Sequence, residues 1–248
     1  MNAAATAYRD TIDQAAATLH VSRGNAKTGN IPSVSTLPGA GVPRKADGTP
    51  LVNERGTCAG CCGACERECY AMRSVRQYRD TARAWAENTA FIRNGAGAFA
   101  VELDAWLSRR RNRPTAFRIH TGGEFMPGKA GENELAAWAA VARANPDITF
   151  YGYTKRVELL ERHAASFPAN LRIMLSVWHD SDAGARTDAP RFVYDDGTDP
   201  AVMALPHCPA VGPDGKARRN AKGERITCAT CRRCIEAKPG DRIAVHAH

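Results

Sequence analysis

Nine cysteines fall in two groups: Cys58, Cys61, Cys62, Cys65 and Cys69, then Cys208, Cys228, Cys231 and Cys234. Thiols so closely spaced in a reducing compartment point to metal or cluster ligation rather than to disulfides. The adjacent Cys61 and Cys62 suit a disulfide framework poorly. In TCAGCCGACERECYAMR, several loop sulfurs can turn inward onto one iron–sulfur cluster. Two ligand triples are available there: Cys58, Cys62 and Cys65 as C-x3-C-x2-C, and Cys58, Cys65 and Cys69 as C-x6-C-x3-C. A structural zinc knuckle competes with both, because Cys58-x2-Cys61 and Cys62-x2-Cys65 are zinc-like pairs. The second group is C-x2-C-x2-C with Cys208 as a fourth thiolate, a set that closes a coordination sphere around [4Fe-4S] or zinc. Arg232 and Arg233 within that run offset the negative charge of such a centre.

Further polar residues cluster where strands are predicted to end. AFRIH (116–120) runs into Thr121-Gly122-Gly123-Glu124, and glycine removes bulk where a ligand must approach the backbone. Tyr153, Thr154 and Lys155 end a second strand, and Ser176, His179 and Asp180 follow a third. His207 precedes Cys208, while His246 and His248 close the chain. His20 and His163 read as packed or loop residues, and Trp85, Trp106 and Trp138 lie at core spacing on helices. Arg109, Arg110, Arg111 and Arg113 sit at a helix C-terminus, where they complement the dipole or bind phosphate. Residues 211–225 form a second basic stretch.

Those positions need elements to hold them. Residues 1–22 carry Ile12, Ala15, Ala16 and Leu19 at amphipathic spacing, which predicts a short helix. Residues 23–57 are rich in Gly, Pro, Asn and Thr and predict an irregular arm with one short strand near Ile31–Leu37. Helical periodicity runs through 70–94 and 98–111, ending at Asn112-Arg-Pro114. The pattern then alternates: strand 116–120, helix 133–145, strand 148–154, helix 157–167, strand 171–178. Candidate strands follow at 192–196, 202–207 and 242–248. Such alternation predicts an α/β fold built from parallel units, with right-handed crossovers curling the sheet. The expected division is an arm at 1–57, a core at 58–207 and a cysteine-rich C-terminal lobe at 208–248.

Composition narrows the class. The 248 residues are 44% hydrophobic and 24% charged, a globular balance that excludes wholesale disorder. No apolar run approaches the roughly 18 residues of a membrane span, and the start lacks a secretory pattern, so a soluble cytoplasmic protein without a membrane partner is expected. The net charge of +8 favours anionic partners such as nucleotides or nucleic acid.

C-x3-C-x2-C together with the GGE turn resembles the radical S-adenosylmethionine (SAM) enzymes. A wider set of segments resembles the phage gene-product-88-like family, a divergent radical SAM-like group: GNAKTGNIPSVSTLP, C-x6-C-x3-C-Y-A, FRIHTGGEF, YGYTK, the strand bearing Ser176, the late C-x2-C-x2-C and VHAH. That resemblance implies a partial or distorted (β/α) barrel. It selects Cys58, Cys65 and Cys69 as ligands of a [4Fe-4S] cluster that leaves one iron open to SAM. Gly122, Gly123, Glu124 and Ser176 are implied as SAM-binding, with Tyr153 and Lys155 as candidate catalytic residues. Cys208, Cys228, Cys231 and Cys234 are implied to hold an auxiliary iron–sulfur cluster, with zinc as the alternative. The implied partners are SAM, an electron donor and a substrate such as a nucleotide or a base in DNA, in the host cytoplasm. From another class, a non-catalytic zinc-stabilised nucleic-acid-binding protein also fits the cysteines and the charge.

Overall fold

The structure is a computed structural model that describes residues 18–60, 63–178 and 187–246. Of the helix expected at 1–22, residues 1–17 with Ile12, Ala15 and Ala16 lie outside the described residues, and 18–22 with Leu19 are not helical, Ser22 bridging to Ser33 instead. Cys61, Cys62, His179, Asp180 and His248 also lie outside the described residues.

The described elements are β1 (Ser33–Val34), α1 (Gly63–Arg67), α2 (Tyr70–Gln77), α3 (Arg79–Asn94), α4 (Ala96–Ser108), β2 (Ala116–Ile119), α5 (Lys129–Ala144) and β3 (Thr149–Thr154). They continue with α6 (Val157–His163), a 3-10 turn (Ala164–Ser166), β4 (Leu171–Val177), β5 (Arg191–Asp195), α7 (Pro200–Met203), α8 (Cys228–Cys231) and β6 (Arg242–His246). The six strands form one sheet in chain order, every neighbouring pair parallel. The sheet is not closed: β1 and β6 stand at opposite edges. No helix among the described residues is long and apolar enough to cross a membrane.

Period-2 alternation gives the sheet two different faces. Phe117 and Ile119 of β2, Phe150 of β3, and Leu171, Ile173 and Leu175 of β4 point to one side. There they meet Phe99, Leu103 and Leu107 of α4, Trp138 of α5, and Leu159 and Leu160 of α6. Trp138 is fully buried among rings, 4.9 Å from Phe99 and 5.9 Å from Phe117 between centroids. The other face carries Arg118, Tyr151, Tyr153, Met174, Phe192 and Ile243. Its lower half is covered by the C-terminal lobe, where Ile235 packs with Ala116 and Tyr151, and Ala237 with Met174 and Ile243. The upper half is left open. One cavity touches side chains from β2 through β6, so the sheet bends around it.

Two expectations change. The apolar periodicity of 70–94 runs unbroken through Tyr78, which is why spacing alone reads one helix. In the structure Tyr78 is extended (φ −120, ψ 106) and separates α2 from α3. The expected strand at 202–207 is instead the helical turn α7. Asp199 caps it by accepting from the Ala201 N–H at 2.8 Å, and Pro200 supplies a preset first position. Only His207 keeps a strand-like bridge, to Ala244.

The turn after β2 is tight. A Cβ on Gly123 would lie 2.0 Å from Thr36 Oγ1, and its φ is +84, whereas Gly48 has φ +83 with nothing within 4 Å. Gly48→Ala should therefore cost about 1–2 kcal/mol, the left-handed penalty alone. Gly123→Ala should cost about 2–4 kcal/mol, because Thr36 must also be displaced. Urea unfolding of the two variants checks the difference.

Candidate functional site

The cavity lies at the C-terminal ends of the parallel strands, where ligands bind in folds of this class. It measures about 450 Å³. Cys58, Cys65 and Cys69 line it together with Gly122, Gly123, Glu124, Tyr153, Lys155 and Ser176, so the sequence-predicted residues of the first site share one cavity.

Backbone pairing fixes the first cysteine. The Thr57 N–H donates to Leu37 O at 2.9 Å and the Cys58 N–H to Gly39 O at 3.0 Å, which lays this loop along the chain leaving β1. Cys65 rides on α1. Cys69 is the N-cap of α2, its sulfur accepting from the Met72 N–H at 3.4 Å. The thiols of all three are half-buried. Burial pushes the Cys65 thiol up, while the Lys155 ammonium pulls it down through charge and a hydrogen bond. Burial works against the charge on Lys155 in turn, but Cys65 and Glu124 outweigh it and hold that ammonium above its usual range.

The Gly-Gly-Glu turn begins at His120, whose backbone is left-handed at φ 50. The His120 imidazole is committed to Glu134 of α5 at 2.7 Å, both side chains sealed from solvent. Gly122 makes room for Trp85, whose ring would lie 2.3 Å from an added Cβ. The Glu124 carboxylate is buried and accepts three hydrogen bonds: from the Phe125 N–H (2.8 Å), the Thr154 hydroxyl (2.7 Å) and the Lys155 N–H (2.8 Å). Its own N–H donates to Thr57 Oγ1 at 2.8 Å. Glu124 thus ties the ends of β2 and β3 to the loop that carries Cys58. On the far wall, Ser176 accepts from the Trp178 indole N–H at 3.3 Å, and Trp178 stacks on Tyr194 at 4.0 Å.

The structure also draws the second cysteine group together. Cys208 and Cys228 lie close enough to raise the thiol pKa of both Cys231 and Cys234. Burial, the larger effect, pushes Cys234 up to about 12 against a hydrogen bond from Tyr153. Thr227 caps α8 through a capping box with Thr230, and Arg232 turns left-handed at φ 57. That reversal brings Cys234 back toward Cys228 and Cys231. The GNAKTGN segment docks on the same turn, Lys27 O accepting from the Cys228 N–H at 2.9 Å. This site lies below the cavity, with Tyr153 reaching both.

Several cavity-lining positions escaped sequence reasoning. Arg118, Tyr70, Trp178, Phe192 and Tyr194 all line the cavity. Arg118 had a signal, a lone charge in the apolar strand AFRI. His207 and His246 do not reach the cavity wall. They share Asp195, at 2.7 Å and 3.1 Å to Oδ2, and their rings stack at 4.2 Å. The three donors lie within 4.8 Å of one another. With an N–H on His207 Nε2 and on His246 Nδ1, both rings donate to the same Asp195 oxygen, which accounts for the cluster as hydrogen bonds to one carboxylate. Arg113 is tied to Asp147 and Asn145, and Arg110 lies over the Trp106 ring at 3.9 Å.

The family model described as Gene product 88 matches residues 14–237. The gene 88 protein of Mycobacterium phage L5 is 24% identical over 199 residues, covering 73% of this chain and 79% of that protein. The gene 88 protein of Mycobacterium phage D29 is 23% identical over 201 residues, with the same coverage of 73% and 79%. No solved structure matches.

Glu134 supports the turn twice, through His120 and by accepting from the Met126 N–H at 2.9 Å. Glu134→Ala leaves both groups buried and unpaired and should destabilise the fold by about 3–5 kcal/mol. Denaturant titration against wild type measures this.

Proposed function

The chain belongs to the gene product 88 family, and we propose that it is a radical SAM enzyme working in a partial (β/α) barrel. The observation that carries this reading is the sharing of one cavity by Cys58, Cys65, Cys69, the Gly122–Glu124 turn, Lys155 and Ser176 at the strand C-termini. The donor set fits a [4Fe-4S] cluster. Cys58, Cys65 and Cys69 all line the cavity, no other described cysteine does, and a cluster held by three thiolates would keep one iron for SAM. Lys155 beside Cys65 provides positive charge for an anionic thiolate centre. When bound, the cluster and SAM would supply a 5′-deoxyadenosyl radical that abstracts hydrogen from the substrate.

The chain's own residues then orient and enclose. The Gly122–Gly123 backbone offers the approach for the methionyl end of SAM. Glu124 holds that turn against β3 and so keeps Lys155 beside the cysteines. Ser176 presents a hydroxyl on the opposite wall for a ribose or carboxylate. Tyr153 supplies the ring between cavity and lower lobe, and the stacked Trp178–Tyr194 pair screens the mouth from water. Cys208, Cys228, Cys231 and Cys234 fit a second, closed site for an auxiliary [4Fe-4S] cluster or zinc. The basic surplus and the phage relatives support a nucleotide or a base in DNA as substrate; a base in duplex DNA would have to be flipped out to reach the cavity. The host cytoplasm would supply the electron donor.

Anaerobic purification followed by reduction with dithionite in the presence of SAM tests the reading. Brown protein with about four irons per loaded site and formation of 5′-deoxyadenosine are expected, and Cys58→Ser should abolish that product. Colourless protein with stoichiometric zinc and no 5′-deoxyadenosine would overturn it in favour of a zinc-stabilised nucleic-acid-binding protein.

A further inference from the structure

Arg118 is a half-buried cation with no acidic partner among the described residues. It projects from β2 onto the concave face, beside its register neighbour Tyr151. Its guanidinium lies 4.7 Å from the Tyr153 ring centre and 5.9 Å from that of Tyr151. Its Nε is buried with no hydrogen-bond partner, and among the described residues no carboxylate pairs with it. Burial works against its charge, while Tyr70, Tyr153, Tyr151 and Cys228 favour it and prevail. A guanidinium held in this way stays charged and leaves donor capacity unmet, at a cost of about 1–3 kcal/mol for each unmade bond.

The Tyr151 and Tyr153 rings flank the guanidinium but leave its Nε without an acceptor. Ala116, two residues earlier on the same face of β2, packs with Ile31, Tyr151 and Ile235, so the neighbouring floor is apolar. What distinguishes the position is the cavity, whose wall includes Arg118. The other inner charges there are already engaged: Glu124 accepts three hydrogen bonds and Lys155 faces Cys65. Phe192 and Tyr194 offer flat apolar surface on the same wall.

We propose that Arg118 is the anion-recognition residue of the cavity. It takes the carboxylate or phosphate of a bound organic ligand in a two-pronged contact, while the ligand's planar body lies against Tyr153, Phe192 and Tyr194. The anion has two sources, the carboxylate of SAM or the phosphate of a nucleotide substrate. The inference rests on the cavity being the ligand site of the proposed function, but not on radical chemistry taking place there.

Calorimetric binding to the metallated, unreduced protein separates the sources. One arm compares SAM with decarboxylated SAM. The other, at saturating SAM, compares the four deoxynucleoside 5′-monophosphates with the matching nucleosides. In wild type, the anionic member of one pair should bind at least tenfold tighter. Arg118→Gln should erase that preference while metal content and melting temperature hold, and Arg118→Lys should restore part of it. Should Arg118→Gln fail to fold, Arg118→Lys decides alone, with a severalfold fall in preference expected. Equal binding of anionic and neutral partners in wild type, or an unchanged preference in the variants, overturns the proposal. A protein that discriminates anions through Arg118 yet forms no 5′-deoxyadenosine would sink the radical reading only. The converse result would sink this one only.

Discussion

The buried carboxylate of Glu124 holds the candidate site in shape. It closes the turn after β2 on its own next amide, reaches across to the end of β3, and through its backbone N–H grips Thr57, the residue before Cys58. Thr57 in turn is bonded to Leu37 beyond β1. Three separate stretches of chain thus meet at one residue sealed from water, where each hydrogen bond is costly to leave unmade. Cys58, the glycine turn and Lys155 cannot shift independently while that knot persists. Gly122 and Gly123 are needed first by the protein itself, since Trp85 and Thr36 occupy the room that their missing side chains leave.

The second constraint is the two-sidedness of the sheet. An all-parallel sheet buries both faces. Here helices α4, α5 and α6 cover one face, and the cysteine-bearing lobe covers the lower part of the other. Cys228 and Cys234 take part in that packing alongside Ile235 and Ala237. A centre bound at the lower cysteines would therefore brace the floor of the cavity, and its state would be felt above through Tyr153, which hydrogen-bonds Cys234 and also lines the cavity. Burial that raises the Cys234 thiol favours the neutral form until a metal replaces its proton.

Much of this was legible in the residues. Alternating apolar strands and helices marked the α/β class, and the described residues at the predicted ends of β2, β3 and β4 gather at one end of the sheet. Glycine and proline marked the irregular arm, and the short strand near Ile31–Leu37 formed at Ser33–Val34. The break at Tyr78 was illegible because no glycine or proline signals it and the apolar spacing continues past it. The strand expected at 202–207 failed because a capped Asp199-Pro200 start outweighed a short apolar run. Partners distant in sequence were also hidden. No local pattern joins His120 to Glu134 or Glu124 to Thr57, and only the lone charge in AFRI hinted that Arg118 faces inward.

The central claim is that Cys58, Cys65 and Cys69 hold a centre whose open position faces the cavity. Electron paramagnetic resonance of the anaerobically reduced protein, recorded with and without SAM labelled with nitrogen-15 at its amino group, tests it directly. The account predicts a spectral shift on adding SAM and a hyperfine coupling to the labelled nitrogen, both lost in Cys65→Ser. A reduced cluster whose spectrum is indifferent to SAM and shows no such coupling would contradict it.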